Sequence, residues 1–164
     1  MDNPNGFQTN IWGPCAWLFL HCISMNYNPI YKKEYYVFFK YIQYILPCKT
    51  CRDNYSVYIK KYLRIKHFES RQTLAMWVFK LHNYILKKTG KSLLYPNNKD
   101  GFQSMVQFYE QFRAKCNYNT QTKHSEMGCT KALYPGMRLR STIQIKPMIQ
   151  LKKAIMVKKC KKID

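Results

Sequence analysis

Glycine is scarce in this 164-residue chain: there are six, and none falls in a Gly-x-Gly-x-x-Gly fingerprint. A glycine loop cradling phosphates is therefore excluded as the way a dinucleotide would be held. Acidic residues are few as well, with eight Asp+Glu against 28 Lys+Arg, a formal charge of +20. No apolar run reaches the roughly 20 residues of a membrane-spanning helix. The opening Met-Asp-Asn-Pro-Asn-Gly lacks the basic-then-apolar order of a secretory signal. The cysteines, at 15, 22, 48, 51, 116, 129 and 160, are odd in number and irregularly spaced, unlike a small secreted disulfide framework. Together these absences predict a protein made and kept in the cytosol, where a Cys-x-x-Cys pair is more often catalytic than structural.

What is plentiful is aromatic residues, 16% of the chain with fourteen Tyr, a composition suited to packed helices with stacking surfaces. The length suits one domain with a real core. Residues 1–10 read as a disordered polar lead. Trp12-Gly13-Pro14 opens a first helix, with Pro14 in its first turn, and Trp17, Leu20, His21 and Ser24 recur at helical spacing to about Met25. On periodicity alone His21 is a satisfied core polar group. After Asn28-Pro29, a second helix from about Lys33 to Leu46 carries Val37, Tyr41, Ile42 and Ile45 at helical positions. The third starts at the Cys48–Cys51 pair and runs towards Leu63, with Tyr55 and Ile59 on the same side. Arg64 to Glu69 reads as a polar break, and Ser70 as the N-cap of a fourth helix striped by Leu74, Trp77, Val78, Leu81 and Ile85. That helix ends at Lys87-Lys88-Thr89-Gly90, cations first and glycine just past them. Asp100 reads as the cap of a fifth, shorter helix with Phe102, Met105, Val106, Tyr109 and Phe112.

The predicted fold is all-α: an antiparallel four-helix bundle plus a short fifth helix over 11–115, with a basic C-terminal extension over 116–164. The extension holds eleven Lys+Arg against Glu126 and Asp164. It alternates like a strand over Leu139 to Ile145 and ends in a basic run from Lys152 to Lys162. Such an end can lie on an anionic membrane or bind nucleic acid, or be simply solvated.

The chemistry centres on Leu46-Pro47-Cys48-Lys49-Thr50-Cys51-Arg52. Pro47 stops the helix before it, and Cys48 falls at the mouth of the next, where free N–H groups and the macrodipole favour a thiolate. Lys49 and Arg52 add positive charge, and a lowered thiol pKa is what a redox cysteine needs. Half of a zinc site is the alternative. It needs two more ligands, and Cys116 and Cys129 form no second close pair, so His67 or His82 would have to be recruited. A thioredoxin-like setting would place a strand upstream, and none is legible. Cys15 and Cys22, nearly two turns apart in one helix, are too distant for a mutual disulfide and are expected as buried small apolar groups.

Three blocks together resemble the FAD-linked sulfhydryl oxidases of the Erv/ALR type. Gly13-x-x-x-Trp17-x-x-Leu20-His21 is similar to the family's first block, Pro47-Cys48-Lys49-Thr50-Cys51 to its redox pair, and Trp77-x-x-x-x-His82-Asn83 followed by Lys87-Lys88 to its third. Trp12-Gly13-Pro14 and the later Tyr109-Glu110-Gln111 look most like the members of large DNA viruses. The resemblance implies a helical bundle holding FAD beside Cys48 and Cys51, usually as a homodimer. It places Gly13, Trp17, His21 and Tyr27 on one side of the cofactor, and Trp77, His82, Asn83 and Lys88 on the other. That gives His21 a cofactor role in place of a purely structural one, and no metal is expected. Leu86 replaces the family's second asparagine. Phe79 replaces a cysteine that in many cellular members staples the fourth helix to a later segment, so that disulfide is expected to be missing.

The implied reaction oxidises the thiols of a protein substrate, or of a thioredoxin-like relay protein, through Cys48 and Cys51 to FAD and on to O2, yielding H2O2. Cys116 and Cys129 are candidates for a shuttle pair or a structural bridge, with Cys160 a weaker one. A viral member would work in the host cytoplasm and in the virion. The rival reading is a basic zinc- or nucleic-acid-binding packaging protein, supported by the charge and the aromatic content.

Overall fold

The computed structural model describes residues 7–113 and Leu133. Five helices account for most of them: α1 (Thr9–Met25), α2 (Lys32–Ile45), α3 (Lys49–Tyr62), α4 (Arg71–Lys88) and α5 (Lys99–Glu110), with 3₁₀ turns at Pro29–Tyr31 and Ile65–Phe68. The described residues contain no strand, in agreement with the all-α expectation. The alternating stretch 139–145, the basic run, and Cys116, Cys129 and Cys160 lie outside the described residues.

Each boundary has a local cause. Gln8 O accepts from Ile11 N at 2.9 Å and starts α1 before the expected point. Thr9 and Asn10, read from the sequence as part of the lead, are therefore helical, and Pro14 sits inside the helix rather than in its first turn. Its missing N–H removes the bond that the Asn10 carbonyl would accept in a regular helix, at an exposed position. Ser70 caps α4 as expected: its Oγ accepts from Thr73 N at 3.1 Å, and Thr73 Oγ1 accepts from Ser70 N at 3.0 Å. The helix stops at Gly90, whose φ of 67° only glycine adopts cheaply, and Lys91 N returns to Leu86 O at 2.9 Å. α5 is capped by Asn98, not Asp100; the Asn98 Oδ1 accepts from Gly101 N at 2.8 Å. A Cβ at Gly101 would run into the Pro96 backbone, so α5 starts against that loop only with glycine there.

The helices pack mainly as α1 on α4 and α2 on α3, with α4 also meeting α3 and the second 3₁₀ turn. The larger core gathers Phe39, Ile42, Tyr55, Tyr58, Ile59, Phe68, Leu74, Trp77, Val78 and Leu81. A smaller one, of Met25, Ala75, Phe79, Phe102, Met105 and Val106, lies under α5. Phe68 corrects the polar break: fully buried, it meets Tyr27, Tyr36 and Trp77. Burying a side chain of this size stabilises by about 1.5–3 kcal/mol. The face of α2 is also corrected. Val37, Tyr41 and Ile45 are exposed, while Phe39, Ile42 and Gln43 are buried. Since Tyr35 to Phe39 is aromatic or apolar throughout, period alone had two faces to choose from. Cys15 and Cys22, expected inside, are exposed. Gly13, Leu20, His21 and Ser24 turn the buried face of α1 the other way.

Candidate functional site

The α2–α3 turn is built around the two thiols. Leu46 takes an extended ψ of 131°, as a residue before proline must, and Pro47 ends α2. Cys48 is the N-cap of α3, with its Sγ in the place of a capping oxygen, accepting from Cys51 N at 3.2 Å. Cys48 and Cys51 are joined as a disulfide, their Cα atoms 5.1 Å apart. Arg52 closes the turn by donating from Nη1 to Leu46 O at 2.6 Å. Lys49 pairs with Asp53 at 3.0 Å, but both side chains are mostly exposed and the pair adds little. Once the bridge opens, the unsatisfied N–H groups of the first turn of α3 and the Arg52 cation favour a thiolate here.

Beside the bridge lies a cavity of about 70 Å³. α1 lines it with Thr9, Trp12, Gly13, Ala16, Trp17 and Leu20. Ile42 and Leu46 come from α2 and the residue after it, Cys51 and Tyr55 from α3, and Ile85 from α4. The lining is almost wholly apolar, and of the two thiols only Cys51 is part of it. Gly13 leaves space because it brings no side chain: a Cβ there would meet Thr9 Cγ2 at 3.6 Å, an ordinary contact. Tyr55 is fixed by its hydroxyl, which donates to Phe39 O at 2.7 Å.

Behind Trp17 the aromatic wall becomes polar. Trp17 stacks on His82 with ring centres 3.9 Å apart and planes 10° from parallel. His82 Nδ1 and His21 Nε2 share a hydrogen bond of 3.0 Å, and His21 stacks in turn on Tyr109 at 4.6 Å. Burial draws the His21 pKa down to about 3, with the His82 charge adding to the effect, and burial alone draws His82 to about 4. Both rings are therefore neutral at neutral pH. The Tyr109 hydroxyl is pushed up to about 12, first by burial and then by Cys22 and Tyr95. Two buried nitrogens, His21 Nδ1 and Trp77 Nε1, find no partner among the described residues.

Of the residues singled out from the sequence, Cys51, Gly13 and Trp17 share the cavity, while His82 stacks behind Trp17 and His21 bonds to His82. Asn83 is buried nearby and donates from Nδ2 to Asn97 Oδ1 at 3.1 Å. Lys88 is exposed in the last turn of α4. Tyr27 and Trp77 belong to the large core. The Tyr27 hydroxyl donates to Phe68 O at 2.6 Å, and Trp77 packs on Phe39, Tyr58 and Phe68. Tyr55, Leu46 and Ile85 were legible only as packing residues, because a wall residue and a core residue share one periodicity. Tyr109 was legible as a stripe residue of the fifth helix, and beyond that only through the likeness of its Tyr-Glu-Gln block to viral members.

Comparison with known proteins agrees with this arrangement. Residues 14–113 match the model of the Erv1 / Alr family. The chain is 40% identical over 91 residues to a probable FAD-linked sulfhydryl oxidase of Acanthamoeba polyphaga mimivirus, an alignment covering 52% of this chain and 64% of that one. It is 30% identical over 94 residues to a putative FAD-linked sulfhydryl oxidase of Invertebrate iridescent virus 6, covering 52% of this chain and 85% of that one. With the mitochondrial FAD-linked sulfhydryl oxidase erv1 of Schizosaccharomyces pombe the identity is 26% over 85 residues, 49% of this chain and 47% of that one. The chain thus spans less than two thirds of the mimivirus protein and about half of the yeast one. Because the family match runs from Pro14 in α1 through the whole of α5, more than half of the chain, and takes in the disulfide, the histidine pair and the cavity wall apart from Thr9, Trp12 and Gly13, the chain belongs to the Erv1/Alr family.

Proposed function

We propose that the chain is an FAD-dependent sulfhydryl oxidase, forming disulfides in protein thiols with O2 as electron acceptor and H2O2 as product. The observation that carries this reading is a shared wall: Cys51 of the bridge and the Trp17 indole line one apolar cavity. A planar, largely apolar ring system suits that lining. The buried, unpartnered Nδ1 of His21 supplies a polar handle for a group with hydrogen-bonding edges. Gly13, Trp17, His21, His82 and Asn83 would hold FAD, with Lys88 meeting phosphate charge at the exposed end of α4. Tyr27 and Trp77 are left to the core.

A substrate thiolate attacks the Cys48 sulfur. The Cys48–Cys51 bond breaks, a mixed disulfide forms on Cys48, and Cys51 leaves as a thiolate with the bonding electron pair. A second substrate thiol then attacks the mixed disulfide and releases Cys48. Its sulfur accepts the Cys51 N–H at the mouth of α3, which stabilises it as a leaving group. That only Cys51 borders the cavity supports this order of roles. Bound FAD would accept the electron pair of the dithiol and supply the route to O2. His21 and His82, held neutral by burial, put no cation behind Trp17.

The substrates are protein thiols or a thioredoxin-like relay protein, with Cys116 and Cys129 as a shuttle pair or a structural bridge. A homodimer is supported by α1, which carries no Lys, Arg, Asp or Glu and exposes Ile11, Leu18 and Phe19 in a chain of charge +20. The basic extension would contact an anionic membrane or nucleic acid, and the setting would be the host cytoplasm and virion of a large DNA virus. The purified protein should be yellow with flavin absorbance and should consume O2 when given dithiothreitol. A colourless protein carrying stoichiometric zinc would overturn the reading.

A further inference from the structure

The last turns of α1 and α5 are fastened together by a buried ionic clamp. Glu110 is 3% exposed, and its carboxylate is bonded to Arg113: Oε1 accepts from Nη2 at 2.8 Å and Oε2 from Nε. Oε1 also accepts from the backbone N–H of Leu133 at 3.2 Å. Arg113 Nη2 reaches on to Met25 O at 3.5 Å, at the end of α1. The Leu133 side chain packs on the small core under α5. A buried carboxylate is tolerated only when its lone pairs are filled, and one of the donors filling them comes from a residue 23 positions further along the chain.

The clamp abuts the site. Glu110 directly follows Tyr109, whose ring stacks on His21 at 4.6 Å, and Met25 lies one turn beyond His21 on the buried face of α1. We propose that Glu110 and Leu133 are positioning residues: the extension, docked at Leu133, holds the end of α5 in the register that keeps Tyr109 over His21. The His21–His82 pair behind the Trp17 wall is thereby set in part by Leu133, outside the five helices. The consequence for FAD binding rests on the function proposed above; the consequence for the His21 ring does not.

The test uses the full chain with Leu133→Pro, which removes the donating N–H, and Leu133→Ala, which keeps it. It adds Tyr109→Leu and the double variant Tyr109→Leu/Leu133→Pro. In the protein free of FAD, a ring stacked on His21 shifts its carbon-bound protons upfield in the NMR spectrum. Leu133→Pro should move them towards their position in Tyr109→Leu, while Leu133→Ala stays nearer the wild type. The FAD dissociation constant should rise about fivefold in Leu133→Pro, the scale of one aromatic contact, with no further rise when Tyr109→Leu is already present. Unmoved His21 signals in Leu133→Pro, or effects of the two substitutions that multiply, would overturn the clamp. If Leu133→Pro fails to fold by circular dichroism, Glu110→Gln must move the same His21 signals, and signals left unmoved there count equally against it. A chain that binds no FAD in any form would sink the oxidase reading, while the His21 shifts would still decide the clamp.

Discussion

The two ends of the candidate site treat charge in opposite ways. At the bridge, Cys48 and Cys51 are half-buried at the start of a helix, with the Arg52 guanidinium across the turn and Lys49 outside. There the surroundings favour an anion that must appear and vanish during turnover. At the other end His21 and His82 are buried, bonded to each other and held neutral, between the faces of Trp17 and Tyr109. There the surroundings exclude charge and preserve shape. A cavity with Cys51 on its wall and a neutral histidine pair behind its Trp17 suits a ring that accepts electrons while its position stays fixed.

The strongest way to break this comparison is at the bridge. Cys48→Ser and Cys51→Ser should each reduce dithiothreitol oxidation to background while leaving FAD bound, as read by oxygen consumption and flavin absorbance. Retained turnover in both would remove the pair from the mechanism.

The neutral end predicts a pH effect on stability. Free histidine titrates near 6.5, whereas folded His21 and His82 resist protonation down to about 3 and 4. Between those values the unfolded chain binds more protons, so stability is full above pH 6.5 and falls as the pH drops towards 4. The loss is at most about 1.4 kcal/mol per pH unit for each ring. His67, also lowered chiefly by burial, contributes in the same direction, as does Glu110, whose burial raises its pKa but is outweighed by the lowering effect of Arg113 and Leu133. Melting temperatures at pH 7, 6 and 5 should decline steadily, and less so in His82→Gln. A flat profile would mean that the pair is not held neutral.

Arg52→Met sharpens the other side. Without the guanidinium, the thiol pKa of the reduced pair should rise by about one unit, measured from thiolate absorbance, whereas Lys49→Met, whose partner is exposed, should move it little. Equal shifts would place the charge effect in solvent-exposed cations and not in the turn. The smallest effect is expected at Gly13→Ala. The methyl fits beside Thr9 and should stabilise α1 by about 1 kcal/mol, yet it narrows the cavity and should weaken FAD binding. A raised melting temperature with unchanged affinity would show that the cofactor does not approach Gly13.

Much of the frame was legible because its causes are local. Ser70 as an N-cap, Gly90 after two lysines, and proline before Cys48 each act within one turn of chain, and the structure uses all three. The stripe of α3 was legible because a single side of it is apolar, whereas that of α4 was legible only in part, since Ala75 and Phe79 turn to the small core. α2 was not, since its aromatic run offers more than one face. Phe68 was hidden in a polar-looking break, because burial of one residue in a short turn has no period. Cys15 and Cys22 show the limit of composition: a small apolar side chain says nothing about which way its helix turns.

The sequence by itself determined that the described residues are mainly helical, where most of their helices start and stop, and that a Cys-x-x-Cys pair sits at a helix mouth. These follow from hydrogen-bonding and backbone preferences of residues a few positions apart. Only the tertiary structure decided that Cys51, and not Cys48, borders the cavity, that His21 bonds His82 across 61 positions, and that Leu133 completes the shell of Glu110. Those facts depend on which helix faces meet, and that is set by the whole core at once.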